Sequence, residues 1–381
     1  MKSIKGNSGI TLITLAVTIV VILILAGVTL DVTLGENGIL NKSKEVANIM
    51  NNLVKEDEAE LNDLLNELNE TMDSNWNSNV EIPDPEPAGE NIGDLIDNGI
   101  IKVGDYVAYN PIGAASYTVN GAYSGTGIDQ TINKENLNWR VLDKTEDGKV
   151  RLISANPTAS TVKLQGANGY NNAVYLLDEL CNTLYKGNNA TVKSLKIEDI
   201  QNKMNLSVWN YNNYANYGVT FSPNGRQYPL IFAQEKGQIV NGSTGSLGLS
   251  EQTSIITGSS TASSWTVRHT DWTNNSIGAS NYVQVIYYEL FHTAANNNRY
   301  WLSSRCVNVD SVYNNAYFDV RCVSTNYVDG VYTYIFAANG GELPGTFGVR
   351  PVVYLESSVK IDTEVEGKDG LTPETAWEIA E

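Results

Sequence analysis

The most pronounced pattern in the chain is an apolar run from Ile10 to Leu30, which contains hydroxyl side chains but no charged residue. As a helix rising about 1.5 Å per residue, this run spans roughly 30 Å, the thickness of the hydrocarbon core of a bilayer. Lys2 and Lys5 precede it and Asp31 follows it. The positive charge before the run predicts that this end stays cytoplasmic and that the rest of the chain is exported.

Two further segments separate this run from the remainder of the chain. Apolar side chains recur at spacings of three and four residues over 41–72, which predicts a second helix. Residues 73–100 are rich in Asn and then alternate Pro with acidic residues, a composition that favours an extended spacer. We therefore predict an N-terminal helical region over 10–72, a linker over 73–100 and a head over 101–381.

The first half of the head combines strand and helix patterns. Alternating apolar and polar residues predict a strand over 102–109 and a β-hairpin over 138–154. An apolar stripe over 173–185, which includes Cys181, has the spacing of a core-packing helix. A second helix is predicted from about Ser194, whose side chain is a candidate cap.

The second half of the head is predicted to be mostly strand. Residues 209–280 have no periodicity and are expected to form long loops on a scaffold. Residues 282–291 fit a strand or a short helix, and residues 370–379 are expected to contain a closing strand. The fold class is therefore α+β, with two helices and an antiparallel sheet. Four strand-like runs build that sheet: 299–307, 316–323, 330–337 and 348–355.

Composition narrows the possible partners. The formal net charge of −18 argues against nucleic acid and anionic lipid as ligands. Three cysteines cannot form a closed disulfide framework, although Cys306 and Cys322 lie in neighbouring strand-like runs and their pairing stays open. His269 and His292 stand alone and are expected to be surface or packing residues. No spacing fits a zinc or calcium site, so no metal or cofactor is predicted.

Catalytic motifs are also lacking, so the chain is not predicted to be an enzyme. Neither histidine belongs to a Ser-His-acid arrangement. The acidic pair Glu198 and Asp199 is expected on a helix surface and not in a glycosidase dyad. Arg350 is predicted to be a buried structural arginine.

The N-terminus resembles the prepilin leader of type IV pilins, because Lys2, Lys5 and the pair Ser8–Gly9 directly precede the apolar run. The resemblance implies cleavage after Gly9, with Ile10 as the first mature residue. It also implies a prepilin peptidase, the membrane and other pilin subunits as partners. Thr14 stands where the family usually has a Glu that functions in assembly, so cleavage is better supported than polymerisation. A cleaved secretory signal and a plain membrane anchor remain alternative interpretations of the apolar run.

The C-terminal region resembles the C-type-lectin fold in its formylglycine-generating-enzyme-like version, over Tyr300–Arg305 and Gly348–Leu355. That group includes variable proteins diversified by retroelements, in which Asn, Tyr, Asp, Ser, Cys and Phe are scattered at exposed sites of a constant framework. Residues 306–339 have this character. The implied ligand-binding residues are Asn308, Asp310, Tyr313, Asn314, Asn315, Tyr317, Asp319, Ser324, Asn326, Tyr327, Tyr332, Tyr334, Phe336 and Asn339.

The composition supports binding independently of that resemblance. The chain has 21 Tyr, and tyrosine supplies large amphipathic contact area while Asn and Ser supply adaptable hydrogen bonds. The leading hypothesis is a cell-surface or pilus-associated adhesin or receptor whose lectin-fold head binds an extracellular protein or glycan. The alternatives are a structural pilin or pseudopilin subunit and a membrane-anchored extracellular hydrolase.

Overall fold

The structure is a computed structural model. The chain divides between Asp84 and Pro85, and all the described residues lie in the second unit. The predicted leader, the apolar run and the second N-terminal helix lie outside the described residues. None of the helices within the described ranges is long and apolar enough to cross a membrane. The ranges that the structure describes are 89–205, 218–221, 226–234, 241–242, 254–262, 265–268, 277–292, 299–310, 314–324, 327–329 and 334–380.

The larger of the two main sheets has eight strands. Its members are β1 (Glu90–Asn91), β2 (Tyr106–Ala108), β5 (Trp139–Lys144), β6 (Val150–Ser154), β8 (Ala190–Ser194), β19 (Pro351–Leu355), β20 (Lys360–Asp362) and β21 (Trp377–Ile379). Their order across the sheet is β1-β20-β21-β2-β5-β6-β19-β8. The β2–β21 pair is parallel and the other pairs of this sheet are antiparallel. The chain termini of the head thus pair within one sheet.

The second main sheet carries the C-terminal region. Its members are β7 (Val162–Leu164), β11 (Asn241–Gly242), β14 (Tyr300–Asp310), β15 (Asn315–Ser324), β16 (Tyr327–Asp329), β17 (Tyr334–Ala337) and β18 (Gly345–Val349). The order is β16-β15-β14-β18-β7, with β11 also pairing with β14 and β17 also pairing with β15. Three two-stranded pairs complete the described strands: β3 (Ser116–Val119) with β4 (Gln130–Asn133), β9 (Gly218–Phe221) with β13 (Trp265–Arg268), and β10 (Arg226–Pro229) with β12 (Ser259–Ala262).

One long helix packs against both main sheets. The described helices are α1 (Ile92–Asp97), α2 (Gly121–Ser124), α3 (Gly166–Tyr185), α4 (Ile197–Gln201), α5 (Leu230–Gln234) and α6 (Val285–His292), with a 3₁₀ turn at Ala279–Asn281. Helix α3 packs against β8 of the larger sheet and against β14 of the second sheet. Its Leu176, Leu177 and Leu180 are buried in the main core cluster, together with Trp139 and Trp301. The core therefore lies around α3, between the sheets.

The structure confirms several of the predicted elements. The hairpin over 138–154 is formed by β5 and β6, which pair antiparallel. Residues 282–291 contain helix α6, which decides between the two alternatives left open by the sequence. The closing strand near the C-terminus is β21. Within 209–280, where loops were expected, the described stretches include short strands and α5.

The helix predicted over 173–185 begins earlier, at Gly166. Its first turns contain Gly and Asn, which are poor helix formers, so local propensity does not extend the helix there. Tertiary hydrogen bonds do so instead. The side-chain amide of Asn172 donates to the carbonyl of Ile256 at 2.9 Å and accepts from its N–H at 2.8 Å.

The cap predicted at Ser194 is wrong. Ser194 is the last residue of strand β8, and α4 begins only at Ile197. The carboxylate of Asp199 accepts from the backbone N–H of Lys196 at 3.0 Å and so caps this helix from within. Asp199 is buried, so its expected place on a helix surface is also wrong.

The predicted linker over 73–100 extends too far toward the C-terminus. Residues 90–97 form β1 and α1, and Ile92 and Leu95 are fully buried in the main core. The backbone N–H of Ile92 donates to the carbonyl of Val359 at 2.8 Å. The head therefore begins before residue 101. The apolar residues of the short helix α1 lie within the Asn- and acid-rich segment and pack against the C-terminal strands.

Candidate functional site

Most of the predicted ligand-binding residues lie on three neighbouring strands, β14, β15 and β17. Asn308 of β14 lies opposite Tyr317 of β15, and Tyr334 of β17 lies opposite Asp319 of β15. Directly opposed residues point to the same side of an antiparallel pair, and so do residues two apart along a strand that has no bulge between them. Asn308, Tyr317 and Tyr334 therefore share one side of the sheet, and we call these three residues the tyrosine face.

The two tyrosines of this face form a joined aromatic surface. The ring centroids of Tyr317 and Tyr334 are 4.6 Å apart, with their planes tilted by 37°. Both side chains and that of Asn308 are partly exposed. Two adjacent phenol rings beside an amide can bind a partner by apolar packing and hydrogen bonding.

The other side of β15 is part of the core, which makes the tyrosine face rigid. Phe318 packs with its ring centroid 5.4 Å from that of Tyr170 and 4.9 Å from that of Phe232. Phe336 of β17 joins this cluster, 5.9 Å from Phe318, and is buried. The prediction that Phe336 contacts a ligand is therefore wrong. Phe336 lies opposite Phe318, and a register shift between this pair and the Asp319–Tyr334 pair places it on the other side of the sheet from Tyr334.

Asn315 and Asp319 are also buried, so their predicted direct contact with a ligand is wrong. By register they share the side of the tyrosine face, and so does Cys306, opposite Asp319, which is buried as well. This side is therefore covered at Asn315, the first residue of β15, and again at Asp319, toward the middle of the strand. It is open between them, near this end of the sheet, at Tyr317 and Asn308.

Two further predicted residues lie in turns near this open end. Asn314 precedes β15 with a φ of 48°, a left-handed conformation that Asn tolerates better than most residues. Asn339 follows β17, whose Ala337 pairs with Tyr317, and its side chain is exposed. Its side-chain oxygen accepts from the N–H of Gly341 at 2.9 Å. The fold thus brings Asn314 and Asn339 to the same end of the sheet as the tyrosine face.

Ser324 and Tyr327 lie at the opposite end of β15, where they pair with each other. Ser324 is seven positions after Tyr317, which is roughly 23 Å along a strand. Tyr327 is 43% exposed. The structure therefore does not bring these two residues together with the tyrosine face.

Several predicted positions cannot be placed. Tyr313, Asn326 and Tyr332 lie outside the described residues, and for Asp310 only the backbone pairing with Asn315 is described. The leader residues Gly9 and Ile10 also lie outside the described residues.

The cysteines form no disulfide. Cys181, Cys306 and Cys322 are all buried thiols, as predicted for Cys181. Cys306 lies opposite Asp319, whereas Cys322 lies opposite Trp301 near the other end of β14. The Cys306–Cys322 pairing that the sequence left open is excluded by this register.

The described residues contain no group of three or more His, Cys, Asp or Glu side chains that could hold a metal ion. His292 is fully buried, as expected for a packing residue, and its Nε2 is 2.7 Å from the hydroxyl of Tyr282. Burial lowers the pKa of His292 to about 4, so the ring is neutral at pH 7. His269 lies outside the described residues.

The chain matches no family model, no curated protein and no solved structure. The likeness to pilins and to the C-type-lectin fold therefore stays a prediction from the sequence.

Sequence reasoning missed a concave surface at the C-terminal end of β2. It is lined in part by the turn that contains Asn188 and Asn189 and by Asn136 and Asn138. The sequence shows two groups of asparagines, one at Asn136 and Asn138 and one at Asn188 and Asn189, but the two groups are far apart along the chain. Only the folded sheet brings them together.

Proposed function

We propose that this chain is a surface-displayed binding protein whose head holds an extracellular protein or glycan through the tyrosine face. The single observation that carries the proposal is the pair of contacting, partly exposed tyrosines, Tyr317 and Tyr334, on a sheet whose other side is packed core. Aromatic anchors on rigid elements contribute most of the energy of many binding interfaces.

Display at the cell surface is the second part of the proposal. The apolar run Ile10–Leu30, preceded by Lys2 and Lys5, supports a single span with the head outside. Cleavage by a prepilin peptidase after Gly9 would leave this run as the mature N-terminus. The helix would then anchor the protein in the membrane or pack against other pilin subunits.

The test is a binding screen with the full-length chain in phosphatidylcholine nanodiscs, against glycan arrays, peptide arrays and whole cells. A double variant, Tyr317→Ala with Tyr334→Ala, is expected to bind any ligand found at least tenfold more weakly. A tyrosine that becomes buried against a partner typically contributes about 1–2 kcal/mol or more to the free energy of binding. Both side chains are partly exposed, so the variant is expected to keep the circular dichroism spectrum of the parent.

Tyr123→Ala is the matched control, because Tyr123 is an exposed tyrosine on another part of the head. Its binding is expected to equal that of the parent. If the double variant binds every ligand as tightly as the parent and the control, the tyrosine face is not the binding surface. Mass spectrometry after co-expression with a prepilin peptidase tests the leader, with Ile10 as the expected first residue.

A further inference from the structure

Two adjoining concavities lie at the C-terminal end of β2 and share Ala108, Tyr109 and Asn110. The larger, about 440 Å³, also contacts β21 and the turn at residues 187–190, and the smaller, about 150 Å³, contacts residues 136–139. We call the two together the β2 cleft. The larger concavity also reaches Leu355 of β19, and β5 and β6 separate β2 from β19 in the sheet order.

None of the described residues that line the β2 cleft has a charged side chain. This is unusual in a chain with 43 acidic and 25 basic residues, whose surface elsewhere carries these charges. A site for an ionic ligand presents groups of the opposite charge. The lining therefore favours an uncharged ligand.

The rim of the cleft carries side-chain amides that are available for hydrogen bonding. All are exposed, and none of these amide groups hydrogen-bonds to another described residue. Each amide offers two donors and one acceptor oxygen, which matches hydroxyl groups that both donate and accept. The five residues are Asn110, Asn136, Asn138, Asn188 and Asn189.

Aliphatic side chains also line the larger concavity. They are Leu355, Val359, Ile379 and Ile112, and Ile112 is 61% exposed, which is unusual for a large apolar side chain. Aliphatic and amide groups in one lining are complementary to a molecule with C–H faces and hydroxyl edges. The volume lies within the range of small-molecule sites.

The wall of the cleft is preformed. The hydroxyl of Tyr109 donates to the carbonyl of Tyr185 at 2.7 Å, and the Tyr109 ring meets Trp139 edge-on at 5.3 Å. Gly187 lies so close to this ring that an added Cβ would be 2.6 Å from the Tyr109 hydroxyl oxygen. A fixed wall lowers the entropy lost on binding.

We infer that the β2 cleft binds a neutral oligosaccharide, whose hydroxyls hydrogen-bond to the asparagine amides and whose ring packs against Ile112. The β2 cleft and the tyrosine face have no residue in common. Saccharide binding in the cleft does not depend on a ligand at the tyrosine face.

Saturation-transfer NMR on the full-length chain in phosphatidylcholine nanodiscs tests the inference. The probes are maltotriose, cellotriose, mannotriose and di-N-acetylchitobiose, with trigalacturonate as the charged counterpart. At least one neutral probe is expected to bind with a Kd of about 0.1–1 mM, as is usual for an open cleft, and trigalacturonate is expected to give no saturable signal.

Two cleft variants and one matched control locate the binding. Asn188→Ala with Asn189→Ala is expected to weaken binding at least fivefold, and Ile112→Asp is expected to abolish it by placing a carboxylate among the aliphatic lining residues. Asn188 and Asn189 do not have positive φ angles, so alanine fits their backbone. The double change Asn98→Ala with Asn202→Ala removes two exposed amides that belong to neither site, at positions with negative φ angles, and is expected to leave binding unchanged.

Three outcomes would overturn the inference. One is that no neutral probe gives a saturable signal up to about 10 mM. Another is that both cleft variants, folded as judged by circular dichroism, bind as the parent does. The third is that Ile112→Asp changes the oligomeric state in light scattering without changing saccharide binding, which would make the cleft a protein contact. None of these results bears on the tyrosine face.

Discussion

At the scale of single residues, Arg350 joins three parts of the head. Arg350 lies between β18 and β19 in the chain. Its guanidinium is fully buried and donates to the carbonyls of Ser154, Ala155 and Phe291 at 3.0–3.2 Å. It also lies over the ring of Tyr300, 5.4 Å from the centroid. Burial lowers the pKa of Arg350, yet guanidinium stays charged in proteins. The three carbonyl oxygens stabilise this buried positive charge, because an unpaired buried charge is unfavourable.

Replacing Arg350 by Lys is expected to lower the free energy of unfolding by about 3 kcal/mol, because the single ammonium cannot reach all three carbonyls. Urea unfolding followed by tryptophan fluorescence measures this. Arg299→Lys is the matched control, since Arg299 is exposed and stacks on Phe347 at 5.7 Å. It is expected to lose no more than about 1 kcal/mol. Equal losses in the two variants would contradict a structural role for Arg350.

The sequence predicted the burial of Arg350 but not that of Asp199. Asp199 follows Glu198 in a polar context, which is typical of a helix surface. Its carboxylate instead pairs with Arg151, which also binds Asp143 through two nitrogens at 2.6 Å. Arg151 comes from strand β6, far away in the chain. Pairing between distant charged residues leaves no mark in local periodicity, so residue-level prediction fails there.

At the scale of elements, the turn after α2 shows how a glycine is required by its surroundings. Gly125 and Gly127 both have left-handed φ angles, of 76° and 71°. An added Cβ on Gly125 would be 1.8 Å from the carbonyl oxygen of Gln165, whereas on Gly127 it would meet nothing within 4 Å. The two positions share backbone strain and differ in available space.

Gly127→Ala is expected to lower the free energy of unfolding by about 1 kcal/mol, the cost of a left-handed alanine. Gly125→Ala is expected to lower it by at least about 2 kcal/mol more, because the backbone before α3 must move to relieve the clash. Urea unfolding compares the two. If both variants lose the same stability, close approach of α2 to α3 does not contribute.

Elements with a strong local period were predicted well. The apolar stripe of α3 and the alternation in β5 and β6 identified those elements from the sequence. The polar first turns of α3 and the short helix α1 were missed, because tertiary contacts stabilise them. In the candidate site, the sequence indicated the strands that carry Tyr317 and Tyr334. It could not separate these from buried Phe336, since that distinction depends on register between strands.

At the scale of the whole molecule, protonation of the buried His292 and protonation of the partly buried Asp178 have opposite effects on stability in acid. His292, next to Tyr282 and Arg350, has a pKa lowered by burial to about 4. Asp178 of α3 accepts from the N–H of Ser194 at 3.0 Å, and burial raises its pKa to about 6. The unfolded values are 6.5 and 3.8. The unfolded chain therefore takes up the histidine proton first, and the folded chain takes up the aspartate proton first.

Below pH 6.5, protonation of His292 in the unfolded chain destabilises the fold, and protonation of Asp178 in the folded chain stabilises it. Relative to a His292→Gln variant, the parent is expected to lose about 2.5 kcal/mol between pH 7 and pH 4.5, since one unit of pKa corresponds to 1.36 kcal/mol. An Asp178→Asn variant is expected to lose more stability than the parent over the same range, because its folded state cannot take up the proton that stabilises the folded parent.

Urea unfolding of the three proteins at half-unit intervals from pH 7 to pH 4.5 separates the two contributions. The other acidic groups titrate in all three proteins, so their effects cancel in the differences between parent and variant. The curve for His292→Gln should rise above that of the parent as the pH falls, and the curve for Asp178→Asn should drop below it. Parallel curves would mean that neither group changes its pKa on folding. Proton uptake by Asp178 would then not offset the loss of stability caused by His292.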